Sequence, residues 1–214
     1  MIFNNISMNE NNIDKLYCKK ETDAMDHSGN HNYDKLMEKT LTQTYHFKGK
    51  IINLRVDDVE LSDGSTSIRE IIEHPGGVCV AALTPDGKLP FVRQFRYPYM
   101  EIVAELPAGK LEKGEDPLDA VKRELAEEVG AHGTNWRSMG NLYPSPGYCG
   151  EIIRLFACDI DVSGESHPDD GEFLEVEYIP LEKAVEMVLA GELPDAKTQT
   201  LVLKLMAERT QGSI

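Results

Sequence analysis

The sequence predicts an α/β domain in which helices cover a mixed β-sheet. Short apolar or alternating segments predict strands along most of the chain, and a capped amphipathic segment at 117–129 predicts a helix among them. Two further helical segments close the chain, and strands mixed with helices in this way are typical of a layered α/β domain. The 214 residues correspond to one globular domain with an appendage, at about 150 residues per domain.

Charge and hydrophobicity narrow the classes of partner. The chain has 22 Lys and Arg against 37 Asp and Glu, and its net charge of −15 repels nucleic-acid backbones and anionic membrane surfaces. No apolar run approaches the roughly 18 residues of a transmembrane helix, and the N-terminus lacks the basic and apolar regions of a secretory signal. We therefore expect no nucleic-acid partner, no membrane partner and a cytoplasmic location.

The N-terminal third predicts a tail followed by a hairpin. Residues 1–40 are rich in Asn, Asp, Lys and Ser and hold few apolar side chains, which predicts a disordered extension. From Ile52 the apolar residues alternate and then change parity, which predicts a strand with a bulge near Asp57 and Asp58. The Asp63-Gly64 dipeptide favours a tight turn, after which a second strand runs back.

The remaining elements follow in order along the chain. The segments VCVAAL and LPFVRQFRY, joined by the turn TPDGK, predict a second hairpin. A strand at 101–106 is expected to end at Pro107 and Gly109. Further strands are predicted near 137–142, 151–159 and 173–178, and further helices at 181–190 and 195–209.

The helix at 117–129 carries local signals at both ends. Asp116 is placed to cap its N-terminus, Pro117 fits its first turn, and Gly130 favours the left-handed conformation that ends a helix. Its apolar residues form one stripe, which we expect to face a sheet. The members of the stripe are Leu118, Val121, Leu125 and Val129.

Three carboxylates lie on one face of this helix. Glu124, Glu127 and Glu128 stand at positions i, i+3 and i+4, flanking the apolar stripe. A solvated acidic face is the alternative interpretation, but such faces usually place Lys or Arg four residues from each Glu. Hard oxygen ligands grouped this closely are suited to Mg²⁺, especially where the ion also contacts phosphate groups.

The residues around this helix match a family pattern. The stretch from Gly109 to Ala131, GKLEKGEDPLDAVKRELAEEVGA, resembles a complete Nudix box, with Gly, five residues, Glu, seven residues, Arg-Glu-Leu-x-Glu-Glu-x-Gly and a small apolar residue. The segments HFKGKIINLRVDDVEL, VRQFRYPY, ELPAG and SPG resemble the ADP-ribose pyrophosphatase (ADP-sugar diphosphatase) branch of that family, from about residue 40 to the C-terminus.

This resemblance implies a particular architecture. The expected fold is a Nudix-type α/β/α sandwich with a mixed sheet, plus an N-terminal antiparallel β-sheet that is exchanged between the subunits of a homodimer. With these boundaries the chain divides into the extension at 1–40, the dimerisation sheet at 41–76 and the Nudix domain at 77–214.

The resemblance also implies a metal site. Mg²⁺ is the expected ion, and Mn²⁺ is the alternative. The resemblance also implies that Glu127 is a catalytic residue. The implied ligands are the carboxylates of Glu124, Glu127 and Glu128 and the backbone carbonyl of Ala108. Arg123, also placed with the catalytic group, would form an ion pair with Glu115 that ties the loop to the helix.

A carboxylate beyond the box is expected to act as the base. The segment DDGEFLEV resembles the end of the family's catalytic loop, which points to Glu172, with Asp170 as its neighbour. Glu151 is a second candidate. An acidic surface loop is the alternative interpretation of Glu172.

Four residues are expected to bind substrate. Arg96 resembles the pyrophosphate-contacting arginine of the family, and Glu105 resembles its ribose-side carboxylate. Gly109 opens the box beside the substrate. Arg69, with His74, lies where the N-terminal sheet of the family approaches the adenosine.

The reaction implied by the resemblance is metal-dependent hydrolysis of the pyrophosphate of ADP-ribose or an ADP-sugar, which yields AMP and ribose 5-phosphate from ADP-ribose. The small-molecule partner is thus a nucleoside diphosphate sugar. Alternative substrates are GDP-mannose, a dinucleoside polyphosphate or FAD, and a Nudix module that senses a nucleotide without hydrolysing it is the alternative outside catalysis.

Overall fold

The computed structural model describes residues 33–161 and 173–211, which form ten strands, three α-helices and a short 3₁₀ turn at Asp34–Leu36. The strands are β1 (Lys39–Lys48), β2 (Asn53–Glu60), β3 (Thr66–Glu73), β4 (Gly77–Leu83), β5 (Lys88–Arg96), β6 (Glu101–Glu105), β7 (Ala108–Lys110), β8 (His132–Leu142), β9 (Ile153–Asp161) and β10 (Leu174–Pro180). The helices are α1 (Pro117–Val129), α2 (Leu181–Ala190) and α3 (Ala196–Gln211).

The central sheet is mixed and has helices on both faces. Its order is β7-β4-β9-β8, with β4 parallel to β9 and the other pairs antiparallel. Cys79 and Ala81 of β4 pack in the core shared with α2 and α3, whereas Val78, Val80 and Ala82 pack in the core shared with α1. Because successive side chains of a strand point to opposite faces, β4 separates the two cores. The fold is the α/β/α sandwich that the sequence predicts.

Two antiparallel sheets complete the fold. The order of one is β10-β5-β6, and Leu89 and Phe91 of β5 are fully buried in the core with α2 and α3. The other is the N-terminal sheet β1-β2-β3. Two backbone hydrogen bonds attach β3 to the segment after β8: the Ile72 N–H donates to the Tyr148 carbonyl at 2.8 Å, and the Gly150 N–H donates to the Ile72 carbonyl at 2.9 Å.

The predicted limits and caps of α1 are confirmed. The Asp116 side chain accepts hydrogen bonds from the backbone N–H groups of Leu118 and Asp119, at 2.8 and 3.3 Å. Gly130 ends the helix with φ of 69°, in the left-handed region. Three members of the apolar stripe are buried against the sheet and the fourth, Leu118, is partly buried. The local signals are therefore sufficient to place this helix.

The predicted bulge near Asp57 and Asp58 is wrong. β2 pairs with β3 in unbroken register, and the irregularities lie in β1 at Leu41 and His46. The parity change arises because Asp57 lies on the same side of β2 as the buried Val59 and is itself 2% exposed. Arg55, two residues before it on that side, places its Nε 3.1 Å from the Asp57 carboxylate. The carboxylate of Asp57, paired with Arg55, thus occupies a buried position of β2 where the alternating pattern would place an apolar residue.

Other element limits also differ from the prediction. The strand predicted at 101–106 is β6, which ends at Glu105, before Pro107 as expected; the sequence does not predict the short strand β7 that follows and pairs with β4. β8 begins at His132, five residues before its predicted start, and two register shifts interrupt its pairing with β9. β1 begins at Lys39, inside the range assigned to the extension, and the division of the chain at 40 and 76 stays a prediction.

Among the described residues, no helix combines the length and the apolar character that crossing a membrane requires.

Candidate active site

A cavity of about 600 Å³ opens beside the first residues of β4 and β9. Its lining combines two kinds of charge. The carboxylates of Glu124 and Glu128 come from α1, and the cations of Arg96 and Lys197 come from β5 and α3. The cavity is therefore suited to a ligand that carries anionic groups and is accompanied by a divalent cation.

Arg123 connects the carboxylates of α1 to the loop that precedes the helix. Its NH1 atom lies 2.9 Å from Oε1 of Glu124 and 2.9 Å from Oε2 of Glu127. Its Nε atom lies 3.1 Å from Oε1 of Glu115, so the predicted ion pair is present. The hydrogen bond from Arg123 holds the pKa of Glu115 below its ordinary value, and Glu115 in turn raises the pKa of Arg123. The guanidinium thereby offsets the repulsion among the grouped carboxylates.

The backbone at the start of the box lies directly against α1. Glu128 is 4% exposed, and its Oε2 atom accepts a hydrogen bond of 3.0 Å from the Ala108 N–H. A Cβ atom built on Gly109 would overlap the Glu124 carboxylate, so only glycine leaves room for that side chain. The structure thus brings together the four predicted residues Ala108, Gly109, Glu124 and Glu128.

This donor set fits Mg²⁺ in its chemistry. Three carboxylates and a backbone carbonyl are hard oxygen ligands, and the missing side chain of Gly109 leaves space beside Glu124. Within residues 33–161 and 173–211, no three acidic, His or Cys side chains are gathered closely enough to hold a metal ion in the present arrangement. Arg123 instead bridges Glu124 and Glu127, so these two carboxylates would have to exchange the guanidinium for the ion.

A second cluster of charges joins β5, β6 and α3 beside the cavity. Arg96 donates two hydrogen bonds to Glu105, at 2.6 and 2.7 Å, and Lys197 contacts the same carboxylate. Asp195 accepts a further hydrogen bond of 2.9 Å from the Lys197 ammonium. Burial acts to raise the pKa of Glu105, but the hydrogen bonds from Arg96 and the charge of Lys197 outweigh it and hold that pKa below its ordinary value. Glu105 is therefore a buried carboxylate kept ionised by two cations.

Comparison with known protein families identifies the family to which this chain belongs. The NUDIX domain matches residues 73–200, which contain α1, the carboxylates and the cavity cations. The chain belongs to the Nudix family. The nucleoside diphosphate sugar hydrolase N-terminal domain matches residues 38–72, which form the three-stranded N-terminal sheet of this Nudix protein.

Individual relatives and a solved structure agree with this Nudix assignment. The chain is 45% identical to the ADP-ribose pyrophosphatase of Bacillus subtilis (strain 168) over 165 residues, which cover 76% of this chain and 89% of the relative. It is 38% identical to the methanol dehydrogenase activator of Bacillus methanolicus over 173 residues, 80% of this chain and 94% of the relative. The crystal structure of an ADP compounds hydrolase has the same fold, with a TM-score of 0.71 and 20% identity over 83% of this chain and 97% of the other.

Three predicted site residues do not line the cavity of this Nudix domain. Glu105 lies behind Arg96, and Glu127 lies beside the lining residues Arg123 and Glu124. Arg69 lies on β3 of the N-terminal sheet, where its Nε donates a 2.9 Å hydrogen bond to Glu38. Glu172, like its neighbour Asp170, lies outside the described residues.

His74 and Glu151 both line the cavity. The Oε1 atom of Glu151 lies 3.4 Å from Nδ1 of His74, and the backbone N–H of Gly76 donates to that nitrogen at 3.1 Å. A Cβ atom on Gly77 would lie 3.8 Å from the same Glu151 oxygen. Glu151 thus remains an accessible carboxylate within the Nudix site.

Lys197 lines the cavity but is not among the residues predicted from the sequence. It lies in the first turn of α3, where the helix dipole disfavours a cation. A lysine at such a position indicates that carboxylates nearby hold its charge, and this signal is present in the segment LPDAKT. The identity of its main partner, Glu105, depends on tertiary packing across 92 residues of chain.

Proposed function

We propose that this protein hydrolyses the pyrophosphate bond of ADP-ribose to AMP and ribose 5-phosphate in the presence of Mg²⁺. The observation that carries the proposal is the presence of grouped carboxylates and of cations in the lining of one cavity. The similarity to a protein named ADP-ribose pyrophosphatase supports ADP-ribose as the substrate.

The residues on α1 and β7 would hold the ion. In this proposal the carboxylates of Glu124, Glu127 and Glu128 and the carbonyl of Ala108 are its ligands. Mg²⁺ bound there supplies charge neutralisation at the phosphates and a bound water of lowered pKa. Because the chain carries a net charge of −15, a cation at the site is also needed to offset the repulsion of an anionic substrate.

The remaining site residues would orient the substrate and move a proton. Arg96 lines the cavity and would bind the pyrophosphate oxygens through its planar guanidinium. Glu172 would accept a proton from the water that attacks one phosphorus in line with the leaving oxygen. The attack transfers the phosphoryl group to water directly, so no covalent enzyme intermediate forms.

We also infer that the protein is a homodimer built through its N-terminal sheet. All ten residues of β1 are exposed, and they include the large apolar side chains of Leu41, Tyr45 and Phe47. Exposed apolar surface of this kind is typical of an interface. Arg69 lies on the same sheet and outside the cavity of its own chain, so its predicted contact with adenosine would be made in the site of the partner.

The proposal also places the protein in the cytoplasm. Cys79, Cys149 and Cys158, the cysteines of the described ranges, form no disulfide, as expected of a protein in a reducing compartment. Cell fractionation with an antibody tests this location, and recovery of the protein outside the cytoplasmic fraction would contradict it.

A substrate panel tests the proposed reaction. ADP-ribose, ADP-glucose, GDP-mannose, diadenosine polyphosphates, FAD and NADH are each incubated with the protein and Mg²⁺, and the products are separated by chromatography. We expect ADP-ribose to give the highest kcat/KM, with AMP and ribose 5-phosphate as products and no turnover after chelation. Faster cleavage of another diphosphate would identify that diphosphate as the substrate in place of ADP-ribose. Binding of ADP-ribose without cleavage would favour a nucleotide sensor.

A further inference from the structure

Lys197 is an unusually enclosed cation for a residue that borders a cavity. Its side chain is 11% exposed, compared with 38% for Arg96 in the same cluster. Burial of an ammonium is unfavourable unless carboxylates compensate for the lost hydration. Burial acts to lower the pKa of Lys197, but the nearby charges, foremost that of Asp195 and also that of Glu105, outweigh it and hold the pKa above its ordinary value.

The fold supports this lysine with specific contacts at the start of α3. The Asp195 carboxylate accepts two hydrogen bonds. Its Oδ1 accepts one from the Lys197 ammonium at 2.9 Å, and its Oδ2 accepts one from the backbone N–H of Thr198 at 2.9 Å. One side chain therefore caps the helix and neutralises the cation that the helix dipole disfavours. The Thr198 hydroxyl in turn accepts a 2.9 Å hydrogen bond from the Leu106 N–H, next to Glu105. The lysine and the carboxylate are thus fixed relative to each other.

Glu105 has two cationic partners that differ in accessibility. Arg96 contacts both of its oxygens and also lines the cavity, so this guanidinium can turn to an anionic ligand. Glu105 is 2% exposed, and a buried carboxylate left without a counter-ion is strongly disfavoured. Because the side chain of Lys197 is enclosed, its ammonium would stay on Glu105 if Arg96 turned to a ligand.

We infer that Lys197 is a positioning residue for substrate binding, which keeps Glu105 charged and in place while Arg96 exchanges that carboxylate for the pyrophosphate of the substrate. The inference rests on the proposed function, because it takes Arg96 as the pyrophosphate contact. Without Lys197, Arg96 would be the main counter-ion of Glu105 and would be withheld from the substrate. The expected loss is therefore in binding and not in the chemical step.

The test compares Lys197→Met, Lys197→Arg, Glu105→Gln and the double variant with the wild type. KM and kcat are measured with ADP-ribose at saturating Mg²⁺. For Lys197→Met we expect KM to rise about tenfold with kcat within about threefold, and for Lys197→Arg we expect most of the affinity to return. The matched control is Lys204→Met on the same helix, whose ammonium donates to the Met139 carbonyl at 2.6 Å, and we expect its KM to be unchanged.

The double variant decides how Lys197 acts. If the lysine acts through Glu105, adding Lys197→Met to Glu105→Gln will not raise KM further. A further tenfold rise in the double variant would mean that the ammonium contacts the substrate itself, which would overturn the positioning role. An unchanged KM in Lys197→Met would also overturn it. If Lys197→Met does not fold, Lys197→Gln removes the charge, keeps a hydrogen-bond donor for Glu105, and carries the same expectation.

A binding measurement separates this inference from the proposed function. An ADP-ribose analogue with a methylene group in place of the bridging oxygen cannot be hydrolysed at that bond, so its Kd from calorimetry reports binding alone. We expect Kd to rise about tenfold in Lys197→Met whether or not the wild type turns over ADP-ribose. If the panel selects another diphosphate, the proposed substrate is wrong, and the same comparison with the preferred substrate tests Lys197. An unchanged Kd would overturn the role of Lys197 while leaving the hydrolysis intact.

Discussion

The backbone N–H of Ala108 donates a 3.0 Å hydrogen bond to the buried carboxylate of Glu128. This contact joins β7 to α1 and places the Ala108 backbone beside the carboxylates of the helix. The same short strand pairs with β4, so the contact also ties the box to the central sheet. Loop and helix are therefore positioned together before any ligand binds.

Removing one carboxylate charge from this face is expected to abolish most of the activity. We predict that Glu127→Gln and Glu128→Gln each lower kcat by about 100-fold or more, because a metal contact contributes several kcal/mol and each 1.36 kcal/mol is tenfold in rate. Steady-state kinetics at saturating Mg²⁺ measures the effect, with Glu186→Gln on the exposed surface of α2 as the control. Near-normal rates in both variants would remove the metal assignment.

Gly109→Ala tests the close approach of the box to α1. The added methyl group would displace the Glu124 carboxylate, so we expect the Mg²⁺ concentration for half-maximal activity to rise by about 10-fold to 100-fold. Gly147→Ala is the matched control, because a Cβ atom at that position has no neighbour within 4 Å. Circular dichroism checks that both variants fold. An unchanged Mg²⁺ requirement in Gly109→Ala would contradict a role for Glu124 as a ligand.

The identity of the base is tested by a pair of variants. For Glu172→Gln we predict a fall in kcat with little change in KM, as expected for the loss of an interaction made only in the transition state. Glu151→Gln is compared under the same conditions, because Glu151 lines the cavity beside His74. A larger loss of kcat in Glu151→Gln would assign the base to Glu151.

The ion pairs of Glu105 predict how stability depends on pH. The folded-state pKa of Glu105 lies below its ordinary value near 4.5, so its contribution to the free energy of unfolding is present above that value and is lost as the pH falls through the folded-state pKa. We expect Glu105→Gln to lower that free energy by about 3 kcal/mol at pH 7, because a buried pair loses one partner. The difference from the wild type should shrink between neutral pH and pH values below about 4. Urea unfolding measures it, and a constant difference across this range would contradict the prediction.

Light scattering tests the proposed dimer. We expect a molar mass of twice 23.9 kDa at micromolar concentration, and a shift toward the monomer for Phe47→Glu, because Phe47 is 55% exposed on β1. Glu60→Gln on β2 is the control for a change of charge in the same sheet. A monomeric wild type would rule out a site shared between two chains.

The sequence predicts α1 to the residue, because Asp116, Pro117 and Gly130 act through contacts within the helix ends themselves. It predicts the carboxylate face for the same reason, since helical spacing alone brings those side chains together. It does not predict β7, because the pairing of Ala108–Lys110 with β4 depends on a distant strand.

Two charge pairs account for other differences. Asp57 is buried beside Arg55, so a pattern that counts Asp as exposed places the bulge on the wrong strand. Lys197 is separated from Glu105 by 92 residues, and no local spacing relates the two. The burial of Asp57 and the contact between Lys197 and Glu105 both depend on how strands and helices pack together.

In the cavity, Glu124 and Glu128 come from α1, whereas Arg96 and Lys197 come from β5 and α3. Substitutions that tune how tightly the anionic groups of a substrate are bound can therefore accumulate in β5 and α3 while the carboxylates of α1 are retained. The same separation offers a route for directed evolution, in which libraries confined to β5 and α3 would alter substrate affinity without sampling the carboxylates that are proposed to hold the metal.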